Sequence, residues 1–188
     1  MTIDEIKRDL KSRLSSKRYI HSLGVAETAQ KLALRYGASP EKAYLAGLVH
    51  DSAKELTLQE MREIVSGAHM TPDEEVMNSR ALLHGPAGSV LAETVYGITD
   101  KEIREAIYYH TTGCPEMPLL DKIIFLADYI EPSRDFPGAD SLRKLSGKDL
   151  DSAVLAAYDS TITHLINQKQ YIYELTFQGR NSLIRHIK

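Results

Sequence analysis

The chain has 188 residues, of which 43% are hydrophobic and 26% are charged. This composition excludes a disordered or fibrous chain, and the length predicts one domain, residues 1–188. A formal net charge of −3 gives no global basic field, so we expect no nucleic-acid partner. The longest stretch without a charged side chain is twelve residues, 81–92, which is too short to span a bilayer, so we expect no membrane partner.

The single cysteine, Cys114, cannot form an internal disulfide and therefore favours a reducing compartment. The segment Met1–Glu5 lacks the basic start and apolar stretch of a signal peptide. We predict a cytoplasmic protein. A nucleophilic pair of Cys114 with His110 is rejected, because the loop around Cys114 offers no acid partner.

Helix signals dominate the chain from its start. Capping-box spacing occurs at Thr2/Glu5, Thr57/Glu60, Thr71/Glu74 and Thr99/Glu102, and a cap followed by proline occurs at Ser39-Pro40 and Thr71-Pro72. Between these signals apolar residues recur every three or four positions. The pattern predicts helices over 3–14, 17–36, 40–51, 57–66, 73–96, 99–109, 119–130 and 148–167. The predicted fold class is all-α, with an ordered loop over 131–140 and a loop or short strand over 171–177.

Several polar side chains interrupt otherwise apolar helical stretches. Each has an ordinary explanation, either a core histidine bonded to a carbonyl or an aspartate that caps a helix. One shared site explains all of them more simply, because a buried carboxylate is costly unless it is paired or bound to metal. The residues in question are His21, His50, Asp51, His84, His110 and Asp128.

Two imidazoles and two carboxylates from this group suit one divalent ion, and we predict a metal site of His21, His50, Asp51 and Asp128. Iron, manganese and zinc all fit this donor set. His84 and His110 either hold a second ion, bridged by Asp51, or face the substrate. The other histidines, including His164, are not assigned to the site.

Three cations accompany these segments. Lys54 follows Asp51 by one helical turn, Arg18 precedes His21 by one turn, and Arg134 follows Asp128 by six residues. An isolated cation on a helix is usually solvated. Because all three lie beside predicted metal ligands, we predict that they contact phosphate.

Five strings, residues 18–25, 46–55, 82–86, 109–113 and 127–138, together resemble the HD-domain metal-dependent phosphohydrolases. Their combination is similar to one branch, the YqeK-type HD proteins, over roughly residues 17–182. The resemblance implies a compact all-α HD-domain fold, symmetrical hydrolysis of diadenosine tetraphosphate to two ADP, and iron as the expected ion.

The resemblance also implies roles for individual residues. The metal ligands would be His21, His50, Asp51 and Asp128. The nucleotide contacts would be Arg18, Lys54, His84, His110, Arg134 and Arg180.

In the expected mechanism, water attacks phosphorus and the catalytic residues are Asp51, His84 and His110. Asp51 would hold the ion and orient the water, and either His84 or His110 would protonate the leaving oxygen. The choice between the two histidines stays open at this point.

Base recognition is less visible in the sequence. Tyr109, Tyr129 and Tyr173 are near predicted site residues and either stack on adenine or fill the core. We include Tyr109 and Tyr173 among the predicted substrate contacts.

Three alternative functions remain open. The same metal set would serve a hydrolase of mononucleotides or cyclic nucleotides. A nucleotide-binding regulator without turnover is a second class, and an all-α interaction protein with structural histidines is a third. A homodimer through the amphipathic N-terminal helix is also left open.

Overall fold

A computed structural model describes residues 1–187, and the all-α prediction is confirmed because no strand occurs among them. The helices are α1 (Ile3–Arg13), α2 (Ser16–Tyr36), α3 (Pro40–Val49), α4 (Leu58–Gly67), α5 (Glu74–Asn78), α6 (Arg80–Thr94), α7 (Lys101–Tyr109), α8 (Leu119–Ile130), α9 (Ala139–Ser146), α10 (Leu150–Asn167) and α11 (Glu174–Ile187). Within this range no helix is both long enough and apolar enough to cross a membrane.

The prediction of one continuous helix over 73–96 is wrong, because two helices occupy this range. It divides at Ser79, whose backbone is extended (φ −115°, ψ 112°) and whose hydroxyl accepts from Leu82 N–H to cap α6. The caps predicted at Thr71 and Thr99 are also wrong, since Asp73 and Asp100 cap α5 and α7. The capping boxes at Thr2 and Thr57 are confirmed.

Two helices were not predicted. Helix α9 begins after Gly138, which is left-handed (φ 100°) and provides no side-chain cap, so the usual sequence signal is missing. Helix α11 starts at Glu174, inside the segment that was predicted to be a loop or short strand.

The packing of α2 on α3 brings the first two histidines together. A Cβ atom at Gly47 would lie 2.9 Å from the Ala26 Cα atom, so the two helix backbones touch where only glycine fits. Helix α8 packs on both α2 and α3, and α7 packs on α3 and α8. The main core fills the space between these helices and α10, whereas a smaller core lies under α4 to α6.

Asp121, in the first turn of α8, is a buried carboxyl, 3% exposed. Burial, with Glu105 and Glu102 nearby, raises its pKa to about 7. The unfolded chain titrates near the ordinary value of 3.8, so the native state binds this proton more tightly. The stabilisation is therefore complete below about pH 4 and is lost as the pH rises toward 7.

We expect Asp121→Asn to stabilise the protein increasingly above pH 5, by roughly 1–3 kcal/mol at pH 8, because the amide never ionises. Urea unfolding of both proteins at pH 5, 6, 7 and 8 measures the difference in the free energy of unfolding, with Asp135→Asn, at an exposed position, as the control. If the difference in the free energy of unfolding stays constant from pH 5 to pH 8, the pKa of Asp121 is not raised as described.

Candidate metal centre and active site

The His50-Asp51 pair lies where α3 ends. The last turn of α3, residues 46–49, is buried, so it delivers both side chains into the protein, with His50 completely inaccessible and Asp51 2% exposed. The chain then turns sharply through 51–56, which presents Lys54 on the same side. The sequence-predicted burial of this pair is therefore observed.

Four imidazoles converge through the same ring nitrogen. His50, His84 and His110 each bond through Nδ1 to the carbonyl oxygen three residues earlier, at 2.7, 2.8 and 2.6 Å. The Nδ1 atom of His21 instead faces Glu131 Oε1 at 3.0 Å. Because these partners are acceptors, each Nδ1 carries a proton, and each Nε2 faces the centre of the site, where it offers a lone pair whenever the ring is neutral.

The Nε2 atoms form two close pairs. His21 and His50 are 3.3 Å apart at Nε2, and His84 and His110 are 3.0 Å apart. Two facing lone pairs repel each other. A cation between or beside them would remove this repulsion in each histidine pair.

Asp51 lies between the two imidazole pairs. Its Oδ2 is 3.4 Å from His50 Nε2 and 3.6 Å from His21 Nε2, whereas its Oδ1 is 3.3 Å from His84 Nε2 and 3.6 Å from His110 Nε2. Burial opposes ionisation of this carboxyl, but the surrounding histidines outweigh it and hold the pKa of Asp51 well below its usual range. Asp51 is therefore an anion that faces both pairs.

Asp128 approaches from α8 and completes the first pair. Its Oδ1 lies 3.0 Å from His21 Nε2 and 3.8 Å from His50 Nε2, and it accepts a hydrogen bond from Arg134. Burial raises the pKa of Asp128, but His21, His50 and Arg134 have the larger combined effect and hold it well below normal.

The predicted cations are all present at the site. Arg18 donates to Asp51, Arg134 donates to Asp128, and Lys54 Nζ lies 3.1 Å from His84 Nε2. Burial lowers the pKa of Lys54, partly offset by Asp51 and Asp128. Burial, together with His110 and Lys54, lowers the pKa of His84 to about 4, so this ring is neutral at pH 7.

The donor set fits divalent metal. Three overlapping groups each bring their ligand atoms within 4.8 Å of one another: His21/His50/Asp51, His50/His110/Asp128 and Asp51/His84/His110. Imidazole nitrogen and carboxylate oxygen suit iron, manganese and zinc. The first and third groups share only Asp51, which is the arrangement that a second ion would need.

A cavity of about 840 Å³ opens beside these residues. One end is formed by Lys54, His110, Asp128 and Arg134, and the rest by aromatic residues and by one side of α10. The lining residues of that second part are Phe125, Tyr129, Phe136, Pro137, Asp159, Ser160, Thr161, Thr163, His164 and Asn167. The volume falls within the usual range for small-molecule sites.

The remaining predicted contacts lie farther out. Tyr109 packs edge-on against Tyr108, and Tyr173 is buried in the smaller core with its hydroxyl on Asp73, so neither lines the cavity. Arg180 bonds Asp159 at the cavity wall. The positions of Tyr109 and Tyr173 give no support to a substrate contact.

Sequence reasoning missed Glu131 and the contribution of α10. Glu131 is 1% exposed and contacts a histidine 110 residues away in sequence, so no local pattern indicates it. His164 and Asn167 lie on a helix whose apolar spacing suggested only core packing.

Comparison with known proteins adds a family match to these geometric observations. The family model for the HD domain matches residues 18–133, which include the two histidines and two aspartates predicted to bind metal. The chain belongs to the HD-domain family. The fold and the resemblance predicted from the sequence are thus confirmed.

Relatives of this HD-domain protein match it over nearly their full length. A Bacillus subtilis protein named symmetrical bis(5'-nucleosyl)-tetraphosphatase is 40% identical, over 98% of each chain. A Halalkalibacterium halodurans protein of the same name is 42% identical over 93% of each chain. A crystal structure from Clostridium acetobutylicum, described as a predicted HD superfamily hydrolase involved in NAD metabolism, is 45% identical with a TM-score of 0.96, covering 99% of this chain and 98% of that one.

Proposed function

We propose that this HD-domain protein is a metal-dependent hydrolase that cleaves diadenosine tetraphosphate symmetrically into two ADP, by attack of water on phosphorus. The single observation that carries the metal-dependent chemistry is the convergence of four imidazole Nε2 lone pairs around Asp51. The names of the two curated relatives support the substrate. The same proposal takes residues 1–188 as one catalytic unit that works in the cytoplasm.

The metal ligands in this proposal are His21, His50, Asp51 and Asp128. When bound, a divalent ion lowers the pKa of water and draws electron density from a phosphoryl oxygen. We propose iron as the ion, with His84, His110 and Asp51 available for a second one.

The charge balance of the site favours a polyanionic substrate. Asp51, Asp128 and Glu131 are matched by Arg18, Lys54 and Arg134, so the protein groups are formally neutral when the histidines are uncharged. A bound cation then leaves a net positive site. A phosphate chain supplies the missing negative charge.

In this proposal the three cations bind the phosphate chain and stabilise its charge. Arg134 and Lys54 line the cavity, whereas Arg18 donates to Asp51 and is not among the lining residues. The charges of Arg134 and Lys54 therefore lie beside the space where phosphoryl oxygens would lie, and preorganised cations of this kind stabilise the charge that develops in the transition state. Asp51 is placed to orient the attacking water, since it is the carboxylate nearest to both imidazole pairs.

His110 is the better of the two histidines for protonating the leaving oxygen. Both rings hold the Nδ1 proton on a backbone carbonyl, so either histidine needs a second proton, on Nε2, to act as the acid. Burial lowers the pKa of His84 to about 4, which disfavours that second proton on His84. His110 lines the cavity together with Thr111, whose hydroxyl is 3.1 Å from His110 Nε2.

The apolar part of the cavity suits one nucleoside. Tyr129 and Phe136 meet edge-to-face with ring centroids 5.1 Å apart, and the Tyr129 hydroxyl donates to Ser160. A purine ring gains by packing on such a pair.

Removing the metal should abolish hydrolysis and returning it should restore hydrolysis. We expect protein treated with a chelator without oxygen to lose more than about 99% of its activity on diadenosine tetraphosphate, consistent with the several kcal/mol that a metal contributes. Ferrous ion should restore the rate more fully than manganese or zinc does. Full activity in metal-free protein would contradict the proposal, and better restoration by zinc would contradict only the choice of iron.

A substrate panel separates the alternatives. Mononucleotides, cyclic nucleotides and NAD are compared with diadenosine tetraphosphate at equal concentration. Preferred cleavage of any of the first three would favour that substrate class on the same metal set. Tight nucleotide binding by metal-loaded protein without turnover would favour a regulator.

A further inference from the structure

We propose that Glu131 is a positioning residue of the metal centre. Glu131 holds His21 with its Nε2 lone pair toward the ion. This inference rests on the metal set proposed above and extends it to a residue without direct contact with the ion. The Glu131 carboxylate oxygen Oε1 accepts a hydrogen bond from the Nδ1–H of His21 at 3.0 Å. A bonded Nδ1 fixes both the tautomer and the rotation of the ring.

His21 differs from the other three histidines in how its Nδ1 proton is held. His50, His84 and His110 use a backbone carbonyl three residues earlier, which no side-chain change removes. His21 lies in the second turn of α2 and takes a carboxylate from the loop after α8 instead. Because an anionic partner makes imidazole a stronger donor to metal, His21 is the ligand whose strength a second side chain controls.

The surroundings of Glu131 hold it in this position. Ser133 donates its backbone N–H to Glu131 Oε2 at 2.7 Å and its hydroxyl to Oε1. Arg143 donates to the Glu131 carbonyl oxygen at 3.0 Å and to the Ile130 carbonyl oxygen at 2.9 Å, which anchors the loop. The carboxylate thus has fixed donors on two sides.

Gly24, on α2, provides the space that this arrangement needs. A Cβ atom at Gly24 would lie 2.5 Å from Glu131 Oε2, too close for any real contact. Gly24 is three residues after His21, on the same side of α2. The helix therefore presents the histidine and leaves room for its partner one turn later.

The test measures metal binding rather than turnover. Metal-free protein is titrated with Mn²⁺ alone, and free Mn²⁺ is followed by electron paramagnetic resonance. We expect Glu131→Ala to weaken Mn²⁺ binding about 10- to 100-fold, the usual effect of losing a ligand's outer partner. Glu131→Gln keeps an acceptor for His21 but loses the charge, so its affinity should fall between those of wild type and Glu131→Ala.

Two further variants separate positioning from general loop stability. Gly24→Ala moves the carboxylate without deleting it and should weaken Mn²⁺ binding in the same direction, which keeps the test valid if Glu131→Ala does not fold. Glu55→Ala is the matched control, because Glu55 also accepts from a serine N–H and hydroxyl but contacts no histidine. It should bind Mn²⁺ as wild type does.

The melting temperature with and without Mn²⁺ supplies the second readout. A purely structural role would lower the melting temperature of metal-free protein and leave the gain on adding Mn²⁺ unchanged. If folded Glu131→Ala and Gly24→Ala bind Mn²⁺ with wild-type affinity, the role of Glu131 is overturned and the proposed metal set still stands. Absence of Mn²⁺ binding in the wild type would overturn the metal set and this inference with it.

Discussion

Replacing Asp51 with asparagine is expected to lower kcat for hydrolysis about 1,000-fold or more and to reduce bound metal. Among the residues that the structure describes, Asp51 is the one carboxylate that faces all four Nε2 atoms, with one oxygen toward each pair. In the proposed mechanism its loss removes a shared metal ligand and the group that orients the water, and the several kcal/mol that a bound metal would contribute correspond to a factor of this size. Steady-state kinetics and elemental analysis of the same preparation measure both effects.

The asparagine side chain has nearly the same volume as aspartate, so Asp51→Asn isolates the charge. Circular dichroism and the melting temperature confirm that the variant folds. Asp4→Asn, on the exposed first turn of α1, is the control and should leave kcat and metal content unchanged. Full turnover with full metal content in Asp51→Asn would remove this residue from the mechanism.

The second large effect is expected at Arg134. We predict that Arg134→Gln lowers kcat/KM about 100-fold while the metal content stays at the wild-type level. Arg134 lines the cavity and bonds Asp128, but it has no lone pair to offer a cation, so its loss should affect phosphate binding and transition-state charge. Kinetics over a range of substrate concentrations separate the effect on KM from the effect on kcat.

Arg13→Gln is the matched control for Arg134→Gln. Arg13 also pairs with an aspartate, Asp9, but on the exposed side of α1. This variant should keep the wild-type kcat/KM. A loss of metal in Arg134→Gln that parallels the loss of activity would show instead that Arg134 acts by supporting Asp128.

The sequence predicted the inner part of the site because its residues break a regular pattern. His50 and Asp51 end an apolar run, and Asp128 interrupts another, so a buried polar group at each place needs a common explanation. Helix α8 was predicted with its observed bounds, 119–130, because apolar residues recur along it at helical spacing. Whether these residues bind metal stays a prediction.

The outer part of the site depends on contacts between distant segments. Glu131 meets His21 across 110 residues, and the wall of the cavity comes from α10, whose polar residues look like an ordinary solvated face. Helix α9 has no side-chain cap, and α6 begins at a serine that also ends α5. Tertiary packing decides these features, and a local pattern does not record it.

Product analysis tests the central claim most directly. Protein purified without oxygen is incubated with diadenosine tetraphosphate and ferrous ion, and the early products are resolved by ion exchange. ADP as the sole early product is the predicted result, because water then attacks a phosphorus at the centre of the chain. AMP together with ATP would contradict symmetrical cleavage, and no product from metal-loaded protein would contradict the proposed activity.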